Sequence, residues 1–276
     1  MVLPVGKTRT LTSAFHQAGV KGVLYILLQK FKMTWRRGEL WELGKFLGLR
    51  ADIVRLDGCK FSIDEASVPA NVIDLLLSNQ YELPERKALK SFLNPELPLV
   101  ELGACIGVLS CVSNRILHNP KNHVAVEANP VLLPILRSNR DLNSCHFTVI
   151  NAAVAHGSES VVLNVSDNVL ASSLHIQGEN SVVIPAISLE RLVSDYGFER
   201  CTLLCDIEGA ELDVVAHEIS TIRQHVDTII METHDRLVGK EPTMVMIDRL
   251  EAAGFNIARR DGDVLVFVNG PQHHSR

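Results

Sequence analysis

The chain has 276 residues, of which 46% are apolar and 21% are charged, and its net charge is −5. This length and composition predict one large α/β domain with a short extension, and they disfavour a generally basic nucleic-acid binder. No apolar run approaches the roughly 18 residues that a membrane-spanning helix requires, so the sequence does not predict such a helix.

The positive charge is concentrated at the start of the chain. Residues 1–60 contain eleven Lys or Arg against four Asp or Glu. Between residues 11 and 35, apolar residues recur at helical spacing with lysines opposite them. We therefore predict a basic amphipathic helical extension over residues 1–52. Two interpretations stay open: residues 1–37 contact an anionic membrane surface, or the helix packs on the main domain with its lysines in solvent.

The cysteines and the N-terminal residues bear on the compartment. The six cysteines form no Cys-x-x-Cys pair, which is typical of reduced core thiols. The first apolar run is followed by Lys30, Phe31 and Lys32 instead of a small-residue cleavage site, so it does not resemble a signal peptide. We expect a cytoplasmic protein, peripheral to the inner face of the membrane if residues 1–37 bind lipid.

Residues 53–96 are predicted to lead into the main domain. Two extended segments flank Asp57-Gly58, a dipeptide that favours a tight hairpin turn. Helices are expected over residues 68–79 and 84–93, the second of them beginning at a proline.

The main domain, predicted over residues 97–276, is organised around an apolar strand, a glycine turn and a helix. The turn contains Gly103 and Gly107, and Cys105 stands where a dinucleotide fingerprint has its middle glycine. We expect Gly103 to let the backbone approach a ligand closely, and Gly107 to let the following helix pack against the strand. A ligand without phosphates fits this spacing better than a dinucleotide.

Alternating strands and helices follow, which predicts a parallel sheet with helices on both faces. Strands are expected at 123–127 and 147–150, with a helix between them from Asn129-Pro130 to about residue 142. Extended segments at 161–165 and 182–184 predict an inserted hairpin around a polar loop. The remaining predictions are a helix at 188–196, a strand at 202–206, a helix to about 219, a strand at 226–232, a helix at 243–253 and a closing antiparallel hairpin at 255–259 and 264–268.

Four predicted strands end in polar or acidic residues. These residues are Glu101, Glu127, Asp206 with Glu208, and Glu232 with His234. In open α/β sheets ligands bind outside the carboxyl ends of the strands, so we expect these side chains to lie at one edge. Glu127 follows Gly107 by twenty residues, which is where a carboxylate can bind both hydroxyls of a ribose.

With these motifs the chain resembles the FkbM-type S-adenosylmethionine-dependent methyltransferases, many of which methylate hydroxyls of sugars or natural products. The resemblance covers about residues 53–269. It is carried by V-E-L-G-A-C-I-G from Val100, E-A-N-P from Glu127, N-A-A-V from Asn151, D-I-E-G-A-E from Asp206, E-T-H from Glu232 and L-E-A-A-G-F from Leu250. It implies a Rossmann-like class I methyltransferase sheet of seven strands, the last antiparallel, behind an N-terminal helical and hairpin extension.

The chain departs from the family pattern at three positions. Glu101 replaces a usual aspartate, Cys105 a usual asparagine, and Cys205 a usual lysine. Loss of that lysine removes a cation near the acids, which bears on their protonation and on the substrate preference.

The resemblance and the strand ends together give a predicted set of site residues. The cofactor-binding residues are Glu101, Gly103, Ala104, Gly107, Glu127, Ala128, Asn151, Ala152 and Asp206. Glu208 and two serines of the polar loop, Ser172 and Ser173, are predicted to face the acceptor.

Methyl transfer to a hydroxyl needs alignment of the acceptor and a base within hydrogen-bond reach. We assign His234 as that base, with Asp206 or Glu232 orienting it, and include no metal ligand in the set. A second interpretation stays open, in which Asp206, Glu208, Glu232 and His234 hold a divalent cation. Glu211, near the start of a helix, is expected to be structural.

The predicted function is S-adenosylmethionine-dependent O-methylation of a hydroxyl on a sugar, glycolipid or natural-product-like metabolite. N-methylation or carboxyl methylation with the same donor is one alternative. A catalytically degenerate donor-binding or scaffold module is another, since Cys105 and Cys205 alter the motifs. The acidic main domain disfavours a nucleic-acid partner.

Overall fold

The computed structural model describes residues 13, 15–20, 23, 53–62, 68, 70–164 and 181–270. The chain divides into two compact units, residues 1–83 and 84–276. Of the predicted amphipathic helix, residues 13, 15–20 and 23 are helical, and Phe15 and Val20 are mostly exposed. The rest of that helix, Ser172 and Ser173 lie outside the described residues.

The first unit contains the predicted hairpin and helix. Strands β1 (Ile53–Leu56) and β2 (Cys59–Ser62) pair antiparallel, and α1 (Ala70–Leu77) follows. Asp57 and Gly58 both have positive φ, which is the conformation that a two-residue Asp-Gly turn adopts.

The remaining elements follow in chain order. The first group is α2 (Leu83–Phe92), β3 (Leu99–Leu102), α3 (Val108–Ile116), β4 (His123–Glu127), α4 (Leu133–Leu142), β5 (Thr148–Asn151), β6 (Ala153–Val154), β7 (Ser160–Asn164) and β8 (Ser181–Ile187). The second group is α5 (Leu189–Tyr196), β9 (Cys201–Cys205), α6 (Glu211–His225), β10 (Val226–Glu232), α7 (Asp235–Val238), α8 (Lys240–Ala252), β11 (Phe255–Asp261) and β12 (Val264–Asn269).

Seven strands form the main sheet in the order β11-β12-β10-β9-β3-β4-β5. The five strands from β10 to β5 are parallel, whereas β12 runs antiparallel to both β10 and β11. This is the seven-stranded sheet with an antiparallel last strand that the resemblance to the FkbM-type family implied. The chain order reverses direction between β3 and β9, and at such a switch point the carboxyl ends of the strands open a crevice.

Strand alternation directs the polar residues to one face of this sheet. Leu102, Leu203 and Ile229 belong to one apolar cluster, whereas Leu204 and Ile230 belong to a second cluster that α2 and α3 cover. Because side chains alternate with period two, Glu101, Asp206 and Glu232 share the face of the second cluster. Four acidic strand ends, with Glu127 included, thus meet on the side of the sheet that α2 and α3 cover.

The helices differ from the predictions in several places, and α8, for example, starts at Lys240 and not at residue 243. The helix α4 starts at Leu133 because residues 130–132 form a turn, in which Asn129 Oδ1 accepts a bond of 3.0 Å from the Val131 N–H. The helix α6 extends to His225 instead of ending near residue 219. Within it, Glu218 has non-helical φ and ψ angles. The short helix α7 was not predicted. Among the described residues, none of the helices has the length and apolarity needed to cross a bilayer.

Candidate active site

The glycine turn after β3 brings two strand ends together. Gly103 has φ of +89°, and a Cβ on it would overlap the backbone carbonyl of Asp206. A Cβ on Gly107, which has φ of +84°, would lie 2.6 Å from Leu136 Cδ1 in α4. Both glycines therefore make room for the chain itself. Gly107 thus makes room for α4 and not for the strand, and the predicted approach of the Gly103 backbone to a ligand stays a prediction.

The Glu127 carboxylate fixes the loop that connects these glycines. Glu127 Oε2 accepts a 2.7 Å bond from the N–H of Cys105, and Oε1 accepts one of 2.7 Å from the N–H of Asn129. Cys105 is a non-glycine residue at φ of +49°. Burial, and to a smaller extent the nearby Glu101, raise the Glu127 pKa to about 7, although these backbone bonds lower it.

Glu101 is fully buried and accepts the last of a series of hydrogen bonds that runs from Asn114 through His123. Asn114 donates from Nδ2 to His123 Nδ1 at 3.3 Å, so the proton of His123 lies on Nε2, 2.9 Å from Glu101 Oε2. The other oxygen, Glu101 Oε1, is buried without a hydrogen-bond partner. An acidic oxygen with free capacity beside Glu127 fits a positively charged ligand group.

The other predicted cofactor residues line the ends of β3, β4 and β5. Asn151 donates from Nδ2 to the carbonyls of Glu127 and Ala128, at 2.8 and 3.0 Å, which leaves its Oδ1 as an acceptor. The side chain of Ala152 lies in the core, and Ala104 is also buried. Any ligand contact of these two alanines would therefore come mainly from their backbone.

A second group of polar side chains surrounds His234, beyond the ends of β9 and β10. Its Nε2 lies 3.5 Å from Asp206 Oδ1 and 3.7 Å from Glu208 Oε2. Its Nδ1 lies 3.1 Å from Glu211 Oε1, without the alignment of a hydrogen bond. Asp206, Glu232 and His234 each offer one atom within 4.8 Å of the others. We call Asp206, Glu208, Glu211, Glu232 and His234 the His234 cluster.

Glu211 has the expected structural role and a further contact. Its carboxylate accepts bonds from the N–H groups of Ile207 and Gly209, at 2.7 and 2.9 Å, and so holds the start of α6. It also approaches His234 more closely than do Asp206 and Glu232, the residues predicted to orient the imidazole. Sequence spacing gave no sign of this contact because Glu211 and His234 lie on different elements.

The carboxyl groups of the cluster hold a proton on His234. Burial lowers the His234 pKa, but Glu211, Asp206 and Glu208 outweigh that effect and raise it to about 9. Burial, together with repulsion from Glu232 and other acids, raises the pKa of Asp206 well above its ordinary value. The His234 cluster therefore contains four carboxyl groups and a single imidazolium.

Glu85, in the first turn of α2, was missed by sequence reasoning. It is 4% exposed, and burial and then the neighbouring Glu232 raise its pKa to about 7. Its Oε2 has no hydrogen-bond partner. The only sequence signal was an acid within a helix that covers the acidic face of the sheet, and that helix precedes Asp206 by more than a hundred residues.

Comparisons with solved structures find many chains that are similar to this one at low sequence identity, among them the following three. A protein from Pyrococcus horikoshii described as a transferase is 15% identical, with 88% of this chain and 86% of that chain covered at a TM-score of 0.45. Precorrin-6y C5,15-methyltransferase from Geobacter metallireducens is 13% identical, with coverages of 75% and 92% and a TM-score of 0.43. Aeropyrum pernix fibrillarin, bound to S-adenosyl-L-methionine, is 13% identical, with coverages of 67% and 73% and a TM-score of 0.40.

The family comparison is more specific. No curated protein matches the chain significantly. The model of the methyltransferase FkbM domain matches residues 101–257, which is more than half of the chain and includes both groups of acidic residues. The chain belongs to the FkbM methyltransferase domain family.

Proposed function

We propose that this methyltransferase transfers the methyl group of S-adenosylmethionine to a hydroxyl of a sugar, glycolipid or natural-product-like metabolite. The observation that carries the proposal is the His234 cluster, which lies next to the glycine turn because the Asp206 carbonyl abuts Gly103. Hydrogen-bond acceptors and a proton acceptor thus stand beside the predicted donor site.

The donor side is assigned to Glu101, Glu127 and Asn151, with the backbone of residues 103–107 and 128. Bound S-adenosylmethionine supplies a methyl group already activated by a positively charged sulfur. The buried Glu101 and Glu127 carboxyls suit such a cationic ligand. Asn151 Oδ1 offers an additional acceptor.

The acceptor side is assigned to Glu208, Asp206 and His234. Glu208 has the most exposed side chain of those paired with His234, at 35%, and can accept hydrogen bonds from acceptor hydroxyls. As the acceptor oxygen gains the methyl group it must lose its proton. His234 takes that proton in its neutral form, which its raised pKa of about 9 makes the minor form at neutral pH, and Asp206 and Glu211 stabilise the imidazolium that results. Ser172 and Ser173 remain proposed acceptor contacts on sequence grounds alone.

The charge of the cluster favours an uncharged or cationic acceptor over a nucleic acid. Asp206, Glu208, Glu211 and Glu232 would repel a phosphate backbone, whereas hydroxyls can donate to them. This supports a small-molecule, glycan or glycolipid acceptor.

An acceptor screen tests the proposal. The full chain is incubated with S-adenosylmethionine and panels of hydroxyl, amine and carboxyl acceptors, and S-adenosylhomocysteine and methylated product are measured by mass spectrometry. We expect product only from hydroxyl acceptors, as methyl ethers that survive mild alkali. Alkali-labile esters would favour carboxyl methylation, N-methylated amines would favour the N-methyl alternative, and donor binding without any product would favour the scaffold.

His234→Gln should abolish turnover, and His146→Gln, at an exposed loop histidine, should not.

A lipid-linked acceptor and a cytoplasmic, membrane-peripheral location follow if the basic extension binds lipid. Support comes from the charge of residues 1–60 alone. Co-sedimentation with anionic vesicles, with and without residues 1–37, tests this part. We expect only the longer form to sediment, and equal partitioning would overturn it.

A further inference from the structure

We propose that Asp206, Glu232 and His234 form a binding site for one divalent metal ion of the Mn²⁺ type. Glu232 is the last residue of β10, and Asp206 and His234 lie just beyond the ends of β9 and β10, so the main sheet fixes their spacing. The binding site itself does not depend on the identity of the methyl donor or acceptor.

The spacing of the three donor atoms suits one ion. All three lie within 4.8 Å of one another. An ion with ligands at about 2.2 Å separates neighbouring ligands by roughly 3.1 Å and opposite ones by roughly 4.4 Å. Small side-chain rotations would therefore bring these donors to bonding distance without moving the strands.

Hydrogen bonding within the cluster supports this interpretation. His234 Nε2 approaches two carboxylates at 3.5 and 3.7 Å, and Nδ1 approaches a third at 3.1 Å, yet none of these contacts is a hydrogen bond. Groups arranged around a shared central ligand have such close but unaligned contacts. In hydrogen-bonded pairs of this protein, such as His156 with Glu218, the distance is 2.7 Å.

An independent observation comes from α2. Glu85 is 4% exposed, faces Glu232, and has an oxygen without a hydrogen-bond partner. A buried acid beside a metal-ligating carboxylate can orient that carboxylate by sharing a proton with it, as outer partners of metal ligands do. Glu85 thus acts as a positioning residue for Glu232.

The charge balance points to a cation. Within the part of the chain that the structure describes, Asp206, Glu208, Glu211 and Glu232 make no ion pair with a lysine or arginine. These carboxyl groups lie close together at the ends of β9 and β10 and repel one another when they are ionised. A divalent ion would offset this repulsion better than the single imidazolium does.

The ligand types select the class of ion. Carboxylates suit Mg²⁺, Ca²⁺ and Mn²⁺, whereas an imidazole suits later transition metals, and Mn²⁺ accepts both. Asp206 and His234 keep 22% and 12% of their side chains exposed, so the remaining coordination positions face solvent. If the proposed function holds, acceptor hydroxyl oxygens would occupy these positions.

Manganese titration of the full chain tests the site without any turnover. The protein is treated with a chelator, and free Mn²⁺ is measured by electron paramagnetic resonance as MnCl₂ is added. We expect one saturable ion per chain, bound at least about tenfold more weakly by Glu232→Gln and by Asp206→Asn. Glu241→Gln, at an exposed acid of α8, should bind as the wild type does.

Pulsed resonance identifies the imidazole ligand. Bound Mn²⁺ should show a nitrogen coupling that His234→Gln loses, and circular dichroism establishes that each variant is folded. No saturable binding, or equal binding by folded Glu232→Gln, would overturn the site. Binding by a protein that methylates none of the acceptors leaves the site intact and refutes only the proposed function.

Discussion

The carboxylate of Glu127 holds the backbone N–H of Cys105 at 2.7 Å, across 22 positions of sequence. Cys105 lies at a positive φ that a non-glycine residue seldom adopts, so the bond helps to keep the loop in place. The same carboxylate is the predicted ribose ligand. Loop geometry and donor binding are therefore coupled through one side chain.

Replacing Glu127 should weaken both the stability of the loop and the binding of the methyl donor. In Glu127→Ala the N–H groups of Cys105 and Asn129 lose their acceptor, and an unsatisfied buried donor costs about 1–3 kcal/mol. We expect the free energy of unfolding to fall by about 2–4 kcal/mol in urea denaturation. We also expect calorimetric titration to show S-adenosylmethionine affinity reduced at least tenfold. Glu159→Ala, at an exposed acid, is the control. Unchanged donor binding by folded Glu127→Ala would refute the donor assignment.

Glu127 should also make stability depend on pH. Its pKa rises from 4.5 to about 7 in the folded chain, so between these values the folded state keeps a proton that the unfolded state has lost. The free energy of unfolding therefore falls as the pH rises from about 4.5 through 7, by roughly 3 kcal/mol from this group. Urea denaturation of the wild type and Glu127→Gln across this range isolates the contribution. Parallel pH curves would contradict the raised pKa.

The loss of stability on replacing each of three glycines with alanine should depend on what the added Cβ would contact. Gly103→Ala places a Cβ against the Asp206 carbonyl, a backbone atom of an interior strand end that cannot move without shifting β9. Gly107→Ala meets the end of the flexible Leu136 side chain, and Gly262→Ala meets nothing within 4 Å. All three also incur about 1–2 kcal/mol for positive φ. Thermal unfolding should show the largest loss for Gly103→Ala and the smallest for Gly262→Ala, and equal losses would show that sterics are irrelevant.

Local sequence patterns were sufficient to predict much of the fold. The strands β3, β4 and β9 are buried along their whole length, and such strands read as continuous apolar runs bounded by turns. Their acidic ends, Glu101, Glu127 and Asp206, follow from the rule that parallel strands present their carboxyl ends at one edge. The resemblance to the family supplied the number of strands in the sheet and the antiparallel direction of the last one.

Contacts between distant segments could not be predicted. Glu85 reaches Glu232 because α2 packs across the sheet, and no local pattern encodes that packing. Gly103 is required by the Asp206 carbonyl, which is about a hundred residues away. Glu218, at the irregularity within α6, likewise makes hydrogen bonds to groups from other elements.

The carboxylate of Glu218, at this irregularity, holds the start of α5. Glu218 is 4% exposed, and its carboxylate accepts bonds from the N–H groups of Leu189 and Glu190, at 2.8 and 2.6 Å, at the start of α5. It also lies 2.7 Å from His156 Nε2. Removing this carboxylate would leave two helix N–H groups and one imidazole without their acceptor. Glu218→Ala should therefore lower the free energy of unfolding by about 2–4 kcal/mol, and Glu218→Gln, which keeps one acceptor oxygen, by less.

The Glu218 variants also separate stability from chemistry. Glu218 lies seven residues beyond Glu211 in α6, about 10 Å along the helix from the His234 cluster. Calorimetric titration below the unfolding transition should therefore give the wild-type affinity for S-adenosylmethionine, while urea denaturation shows the loss of stability. Glu251→Ala, at an exposed acid of α8, should change neither quantity. If Glu218→Ala is as stable as the wild type, its hydrogen bonds to α5 contribute nothing net, and the break in α6 needs another cause.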